Sequence, residues 1–343
     1  MKRSRMHVTS RDVAMLAGVS QASVSRAFTP GGRVSEDKRA RILRAADQLN
    51  YIPNSIASSL TTARTNTVAV IIGDTDNPFY VHVLRAFMTA LQARGQQTLT
   101  FTVEPGSTSD AAIQQVLRYR VDGIILTAAQ LSTRMVSLCH DRGIALVLFN
   151  RYIPGCAVPV VRCDNEGGGR AMAEALYNAQ ARSFAVLKGD PLGTTSQDRV
   201  RGFCQTLREL GVKAGNIQEI EAGSTYQGAQ TAMEKHFSSK ELPDAIFAVN
   251  DTMAMAAIDF VRYDLGKAVP DDVMIAGFDN IPEGDRAPYN LTTLDQPVRT
   301  MVMHALVLLD ACLAADDLES VHPEEVVPSQ LVWRATVPRE PQS

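Results

Sequence analysis

The chain has 343 residues, 45% of them hydrophobic and 21% charged, with a formal net charge of −3. That length sets an expectation of two or three domains, and no apolar run approaches the ~20 residues of a membrane span or the core of a signal peptide, so a cytoplasmic protein without membrane partners is expected. The net charge hides an asymmetry: residues 1–65 carry eleven Lys/Arg against four Asp/Glu, while the remainder carries 23 against 33. A basic head on an acidic body points to a polyanion as the partner of the head alone. The five cysteines (139, 156, 163, 204 and 312) are odd in number and lack metal-ligand spacing, which reads as reduced, packed thiols.

In chain order, Thr9 is placed to cap a first helix, with Asp12 offering the return bond of a capping box. Val13, Leu16 and Ala17 fall on one apolar face, and Ala14 is small enough for another helix to cross closely. Gly18 ends that helix where a left-handed residue costs least, and Ser20 is placed to cap the next. The second helix hides Val24, Ala27 and Phe28 and leaves Gln21, Ala22, Ser25 and Arg26 outside. This spacing fits a helix-turn-helix offering its second helix to the major groove. An ordinary helical hairpin has the same pattern; the basic charge of the segment favours the nucleic-acid reading.

A third helix is expected after Ser35, with Glu36 and Asp37 at the positive end of its dipole, Ala40, Ile42, Leu43, Ala46 and Leu49 closing a small core, and Asn50 as its stop. The segment Tyr51–Thr67 is polar and nearly free of acidic residues. Pro53 would start a short helix, Asn54–Leu60, whose weak propensity suits a linker that turns helical when packed on something.

The body alternates short apolar runs (67–74, 97–103, 121–128, 144–150) with helical stretches, then repeats the pattern (183–190, 217–223, 244–251, 273–280). Such alternation predicts α/β architecture with doubly wound parallel sheets, and two series predict two lobes around a cleft. The segment after Leu291 is expected to cross back to the first lobe with a helix Val298–Ala314, and a strand near Gln330–Trp333 to return to the second. Ligands in such sheets sit beyond the carboxyl ends of strands, which here hold Asn77–Tyr80, Thr195, Arg199, Asn250, Asp251, Asp279 and Asn280. A guanidinium, an amide and a carboxylate suit the paired donors and acceptors of a polyol, while a ring covers its apolar face. The same positions admit structural roles, Asp251 and Asp279 as helix caps and Arg199 in an internal salt bridge. Arg151, Arg162 and Lys188 add positive charge around strand ends, a feature that would favour an acidic ligand. No nucleophile–base set, metal-ligand cluster or GxxxxGK[ST] loop is present, so no catalytic residue, metal or cofactor is expected. Gly167–Gly169 fits no GxGxxG register and reads as close helix packing.

The ordered set VTSRDVAMLAGVSQASVSR, RVSE, YIPNSIASSL, NPFY, VDGIIL, DNEGG, AVNDTMA, VPDDV, GFDNIP and LTTLDQP spans nearly the entire chain and resembles the LacI/GalR family of bacterial transcription regulators. The resemblance implies an all-α helix-turn-helix head (1–52), a hinge helix and linker (53–66) and a two-lobed, periplasmic-binding-protein-like core. Its lobes would be 67–163 with 293–324, and 164–292 with 325–343. It implies a repressor that binds palindromic double-stranded operator DNA as a homodimer, under allosteric control by a sugar-like small molecule; the rival reading is a sugar-binding protein without a DNA role. The DNA-binding positions it implies are Thr9, Ser20, Gln21, Ala22, Ser25, Arg26, Thr29, Asn54, Ala57 and Leu60, with Arg26 a base contact and Leu60 a minor-groove wedge. Phe79, Tyr80, Thr195, Arg199, Asn250 and Asp279 match effector positions. The chain departs from the pattern at Thr29, at Ser58, and at Gly223, where many relatives carry an aromatic for which Tyr226 is the nearby substitute. The short tail after Trp333 lacks tetramer-forming leucine heptads, so a dimer is expected.

Overall fold

Helices α1 (Ser10–Ala17), α2 (Gln21–Phe28) and α3 (Glu36–Gln48) form the first of two units into which the chain divides, Met1–Asn66 and Thr67–Ser343. The computed structural model describes residues 8–28, 32–52, 65–73, 76–103, 107–127, 131–156, 158–239, 241–315 and 323–338. Gly18 closes α1 at φ 62°, and Val13, Ala17, Val24, Ala27, Ile42 and Ala46 meet in a small core. Leu16 and Leu43 were expected inside but are 52% and 46% exposed, and Ala40 is exposed as well. At about 100° per residue, Val13, Ala14 and Ala17 define the inner face of α1, and Leu16 lies roughly 100° away from its centre. On α3 the face set by Ile42, Ala45 and Ala46 excludes Leu43 and Ala40 in the same way, and Ala45 takes the inner place. Arg39 joins the helices by donating from Nη1 to Ala27 O (2.6 Å) and from Nη2 to Gly32 O (2.9 Å). Asn50 (φ 50°) ends the helical path just after α3.

The second unit holds two parallel sheets. The first is six-stranded: β1 (Thr67–Ile72), β2 (Gln97–Thr102), β3 (Gly123–Leu126), β4 (Ala145–Phe149), β5 (Val160–Cys163) and β11 (Glu324–Val327), in the order β11-β5-β4-β3-β1-β2. Side chains alternate across it. Val68, Val70 and Ile72 meet Phe79, Val83, Phe87 and Leu91 of α4 (Pro78–Ala93), whereas Ala69 and Ile71 meet Ile113 and Val116 of α5 (Ser109–Val116). Helix α6 (Thr133–Asp141) packs beside α5's cluster through Met135 and Cys139. Helix α11 (Val298–Ala314) lies over β3, β4 and β5, as the crossing-back expected after Leu291 requires. The edge strand β11 extends this sheet to residue 327, beyond the boundary at 324 read from the sequence.

The second sheet has the order β7-β6-β8-β9, from β6 (Phe184–Lys188), β7 (Ile217–Glu221), β8 (Ala245–Ala248) and β9 (Met274–Ala276). Its helices are α7 (Asn165–Asn178), α8 (Thr194–Glu209), α9 (Tyr226–Phe237) and α10 (Asp251–Asp259), the last running into a π-helical turn, Phe260–Asp264. An antiparallel pair, β10 (Thr293–Asp295) and β12 (Gln330–Val332), attaches to its edge through bridges Ala276–Thr292 and Asp279–Asp295. Of the three glycines read as close packing, Gly168 and Gly169 serve that purpose, whereas a Cβ on Gly167 would meet the Asp164 side chain that caps its own helix. A Cβ on Gly169 of α7 would stand 2.2 Å from Arg199 O, and one on Gly202 of α8 would stand 2.1 Å from Glu166 O. All five cysteines are free thiols, and no helix among the described residues is long and apolar enough to cross a membrane.

Candidate ligand cleft and DNA-facing helix

In the head, the Asp12 carboxylate accepts from the Thr9 N–H (2.8 Å) and the Thr9 hydroxyl (2.7 Å), and these bonds hold its pKa below the usual carboxylate value. Ser20 Oγ accepts from the Ser23 N–H (3.3 Å), the cap expected for α2. Gln21, Ala22, Ser25 and Arg26 all lie on the exposed face of that helix. Gln21 Nε2 donates to Ser10 Oγ (2.8 Å), and Arg26 Nε donates to Ala22 O (3.2 Å). Thr29, Asn54, Ala57 and Leu60 lie outside the described residues.

In the core, all six expected effector positions line one cavity of about 30 Å³ between the carboxyl ends of the two sheets. Asn77 caps α4, its Oδ1 accepting from the Phe79 N–H (3.0 Å), and Pro78 suits the first helical position, so Phe79 and Tyr80 enter the cleft on the first turn. Their rings meet edge to face at 5.2 Å. The Tyr80 hydroxyl accepts from Asn150 Nδ2 (3.3 Å) and Arg151 Nε (3.1 Å). Thr195 stands in the first turn of α8, and Arg199 follows one turn on.

Arg199 is 4% exposed. Its Nε donates to Asn165 Oδ1 (2.8 Å), and its Nη1 donates to Val249 O (2.6 Å) and Asp279 Oδ1 (3.0 Å). The guanidinium also stacks 3.6 Å from the centre of the Phe278 ring. Asp279 accepts a further bond from Gln296 Nε2 (2.6 Å) and sits at φ 123°, a conformation non-glycine residues rarely adopt. Burial raises its pKa, with Arg199 opposing. Asn250 is the N-cap of α10: Oδ1 accepts from the Met253 N–H (2.8 Å) while Nδ2 donates to Ser224 O (3.0 Å). The internal salt bridge considered for Arg199 is therefore present, and it forms the cleft wall itself.

Asp251 has a separate role. It accepts from the Ile281 N–H (2.8 Å) and the Thr293 hydroxyl, tying the loop after β9 to α10 and β10. Full burial, with Asp279 nearby, pushes its pKa up to about 7. Asp279 caps no helix; its peptide N–H continues the ladder to Leu294 O (2.9 Å). Tyr226 does not replace the missing aromatic: its hydroxyl donates to Asp259 Oδ2 (2.7 Å), and it is not part of the cavity wall. Of the three basic residues noted at strand ends only Arg151 reaches the cleft, because Arg162 pairs with Glu324 and Lys188 with Glu221 (2.8 Å).

The cleft adds Asn150, Ser196 and Ser224 to the expected set, with Asn165 and Gln296 behind it. Asn150 Oδ1 is buried without a hydrogen-bond partner and so offers an acceptor to a ligand donor. Asn150 was legible as the last residue of a predicted strand; Ser224 and Gln296 approach only through the sheet crossovers. Among the described residues no cluster of His, Cys, Asp or Glu is arranged to hold a metal. The site thus presents fixed donors, acceptors and rings, the equipment of recognition.

A helical reader of nucleic acid joined to a two-sheet binding core defines a ligand-responsive DNA-binding protein. Residues 9–54 match a family described as bacterial regulatory proteins, lacI family, and residues 65–293 match periplasmic binding proteins and sugar binding domain of LacI family. The ribose operon repressor of Halalkalibacterium halodurans is 30% identical over 96% of this chain and 96% of its own length, and HTH-type transcriptional regulator DegA of Bacillus subtilis is 31% identical over 86% and 88%. Among solved structures, a transcriptional regulator CelR–cellobiose complex superposes with a TM-score of 0.70 at 26% identity, covering 96% of this chain and 99% of that one. A lac repressor dimer bound to operator and the anti-inducer ONPF shares the fold, with a TM-score of 0.82 at 22% identity over 96% and 98%. The chain belongs to the lacI family and is a transcriptional regulator, not an enzyme.

Proposed function

We propose that this protein is a cytoplasmic, nucleoid-associated repressor. Two copies bind a palindromic operator through their heads, and a sugar or sugar derivative in the cleft controls that binding. The observation that carries the reading is the convergence of Phe79, Tyr80, Thr195, Arg199, Asn250 and Asp279 on one polar, ring-walled cavity, in a chain whose α2 presents Gln21, Ala22, Ser25 and Arg26 outward. Relatives named as a ribose operon repressor and solved with cellobiose support a carbohydrate effector; a relative solved as a dimer on its operator supports the two-headed complex. We divide the chain into a head (1–52), a hinge (53–66) and two lobes, 67–163 with 296–327 and 164–295 with 328–343. Thr9, Ser20, Thr29, Asn54 and Ala57 complete the DNA contacts, and Leu60 wedges the operator centre.

At about 30 Å³ the cavity holds about two waters, so a monosaccharide is admitted only when the lobes part. Ligand binding then selects an interlobe arrangement, and DNA affinity changes by the difference in ligand affinity between the two arrangements. The test is a footprint of the full-length protein on its own upstream DNA, with and without a panel of sugars and sugar acids. Protection of a palindrome, changed by one compound, is the expected result. No protected site at low salt on native DNA, from a folded protein, would leave only a sugar-binding role.

A further inference from the structure

The loop that leaves β4 brings Asn150 and Arg151 to the cleft, and Tyr152 follows them to the opposite wall. The Tyr152 hydroxyl donates to Asp198 Oδ1 (3.2 Å) on α8, and the Tyr152 carbonyl accepts from Thr194 Oγ1 (3.4 Å) in the first turn of the same helix. Asp198 lies between the cleft residues Ser196 and Arg199, so Tyr152 joins the two sheet systems directly beside the cavity. Burial and the Asp198 carboxylate push the Tyr152 pKa above its usual value, which keeps the hydroxyl a donor.

Each partner is also held from its own side. The Arg162 guanidinium stands 5.1 Å from the centre of the Tyr152 ring and pairs in turn with Glu324, and both come from strands of the first sheet. Asp198, 2% exposed, accepts on the same Oδ1 from Arg201 Nη2 (2.5 Å), which also donates to Glu166 Oε2 (2.8 Å) on α7. When the two sides part, the Asp198 charge keeps its cation and the Tyr152 hydroxyl passes to water. A structural joint strands a buried group when it opens; this contact does not. A cavity of about 30 Å³ admits no monosaccharide, so the bond across it has to break before a ligand enters. We propose that the Tyr152–Asp198 hydrogen bond is a latch that holds the cleft shut in the ligand-free protein and sets the cost of opening that an effector must meet. Tyr152 is a positioning residue, acting through Asp198 on the helix that carries Thr195 and Arg199.

The inference rests on the parting of the lobes and not on the repressor reading, so the experiment is hydrogen exchange of the full-length protein without DNA or sugar. Thr194, Thr195 and Ser196 are buried, yet as the first turn of α8 their N–H groups have no acceptor in their own helix. Their exchange reports the opening of the cleft, whereas that of β6 reports the integrity of the sheet. Tyr152→Phe, which keeps the ring against Arg162, should raise exchange at 194–196 about tenfold and leave β6 unchanged. It should add nothing in an Asp198→Ala background. Tyr226→Phe removes a hydroxyl bonded to Asp259 on the second-sheet side alone and should not alter 194–196. Unchanged exchange in Tyr152→Phe, an equal rise in β6, an equal rise from Tyr226→Phe, or full additivity with Asp198→Ala would each overturn the latch. Should Asp198→Ala not fold, the comparison of 194–196 with β6 in Tyr152→Phe decides alone.

Discussion

Arg199 directs one guanidinium to Asn165, Val249 and Asp279 while its face covers Phe278. Arg199→Leu therefore leaves the Asp279 carboxylate buried without its cation, and urea unfolding should show a loss of about 3–5 kcal/mol. Lysine cannot reproduce the fork, so Arg199→Lys should retain folding yet weaken effector binding, measured by calorimetry. Asp251 gives a pH signature. Its folded pKa, about 7, lies above the ordinary 3.8, so between those values the folded state holds a proton the unfolded state has released. That contribution to stability is fully present below pH 3.8 and is lost as pH rises through 7, with a slope of at most about 1.4 kcal/mol per unit. Asp251→Asn should abolish this component, seen as the difference between wild-type and variant unfolding curves from pH 4 to pH 7. In the head, the Ser10 hydroxyl restrains Gln21 on the outward face of α2. Ser10→Ala should narrow discrimination between operator variants by a few-fold at the base pair facing Gln21, with little change in non-specific affinity, as a binding competition would report.

Among elements, the α7–α8 crossing is held by facing glycines. Gly169→Ala drives a methyl into the Arg199 carbonyl, and Gly202→Ala drives one into that of Glu166. Each should destabilise by about 1–3 kcal/mol in thermal or urea unfolding and lower effector affinity as well, because Arg199 rides on the displaced helix. The glycine run was legible as packing because it fitted no nucleotide-binding register, and α11 was legible to its ends because its apolar positions recur without interruption. The long buried strands were equally plain, since a parallel strand covered on both faces is a continuous apolar run. Strands β5 and β11 were not, being four residues each, β5 beside a proline and β11 begun by two glutamates. Within the site, residues at strand ends announced themselves. Asn165, Ser224 and Gln296 did not, because their roles arise from approach across 34, 26 and 17 positions of sequence. Leu16 and Leu43 show the opposite failure: hydrophobic identity alone does not fix a face when helices are short and alanines fill the interior.

At the scale of the whole molecule, a basic head on an acidic body separates two tasks by charge. The body repels DNA while the heads attract it, so operator affinity should fall about 10³–10⁵-fold between 50 and 200 mM salt if a dimer makes six to ten phosphate contacts, whereas sugar affinity should scarcely change. The core is assembled by crossing over. β10 attaches beside the second sheet, α11 covers the first, β11 completes the edge of the first, and β12 returns to pair with β10. That path has a consequence for the protein while it is being made. The head needs only the opening stretch of the chain, but neither sheet system is finished until residues 324–332 have left the ribosome. For most of translation the nascent chain carries a finished head without a finished sensor, and no ligand can govern that head until the last strands are in place.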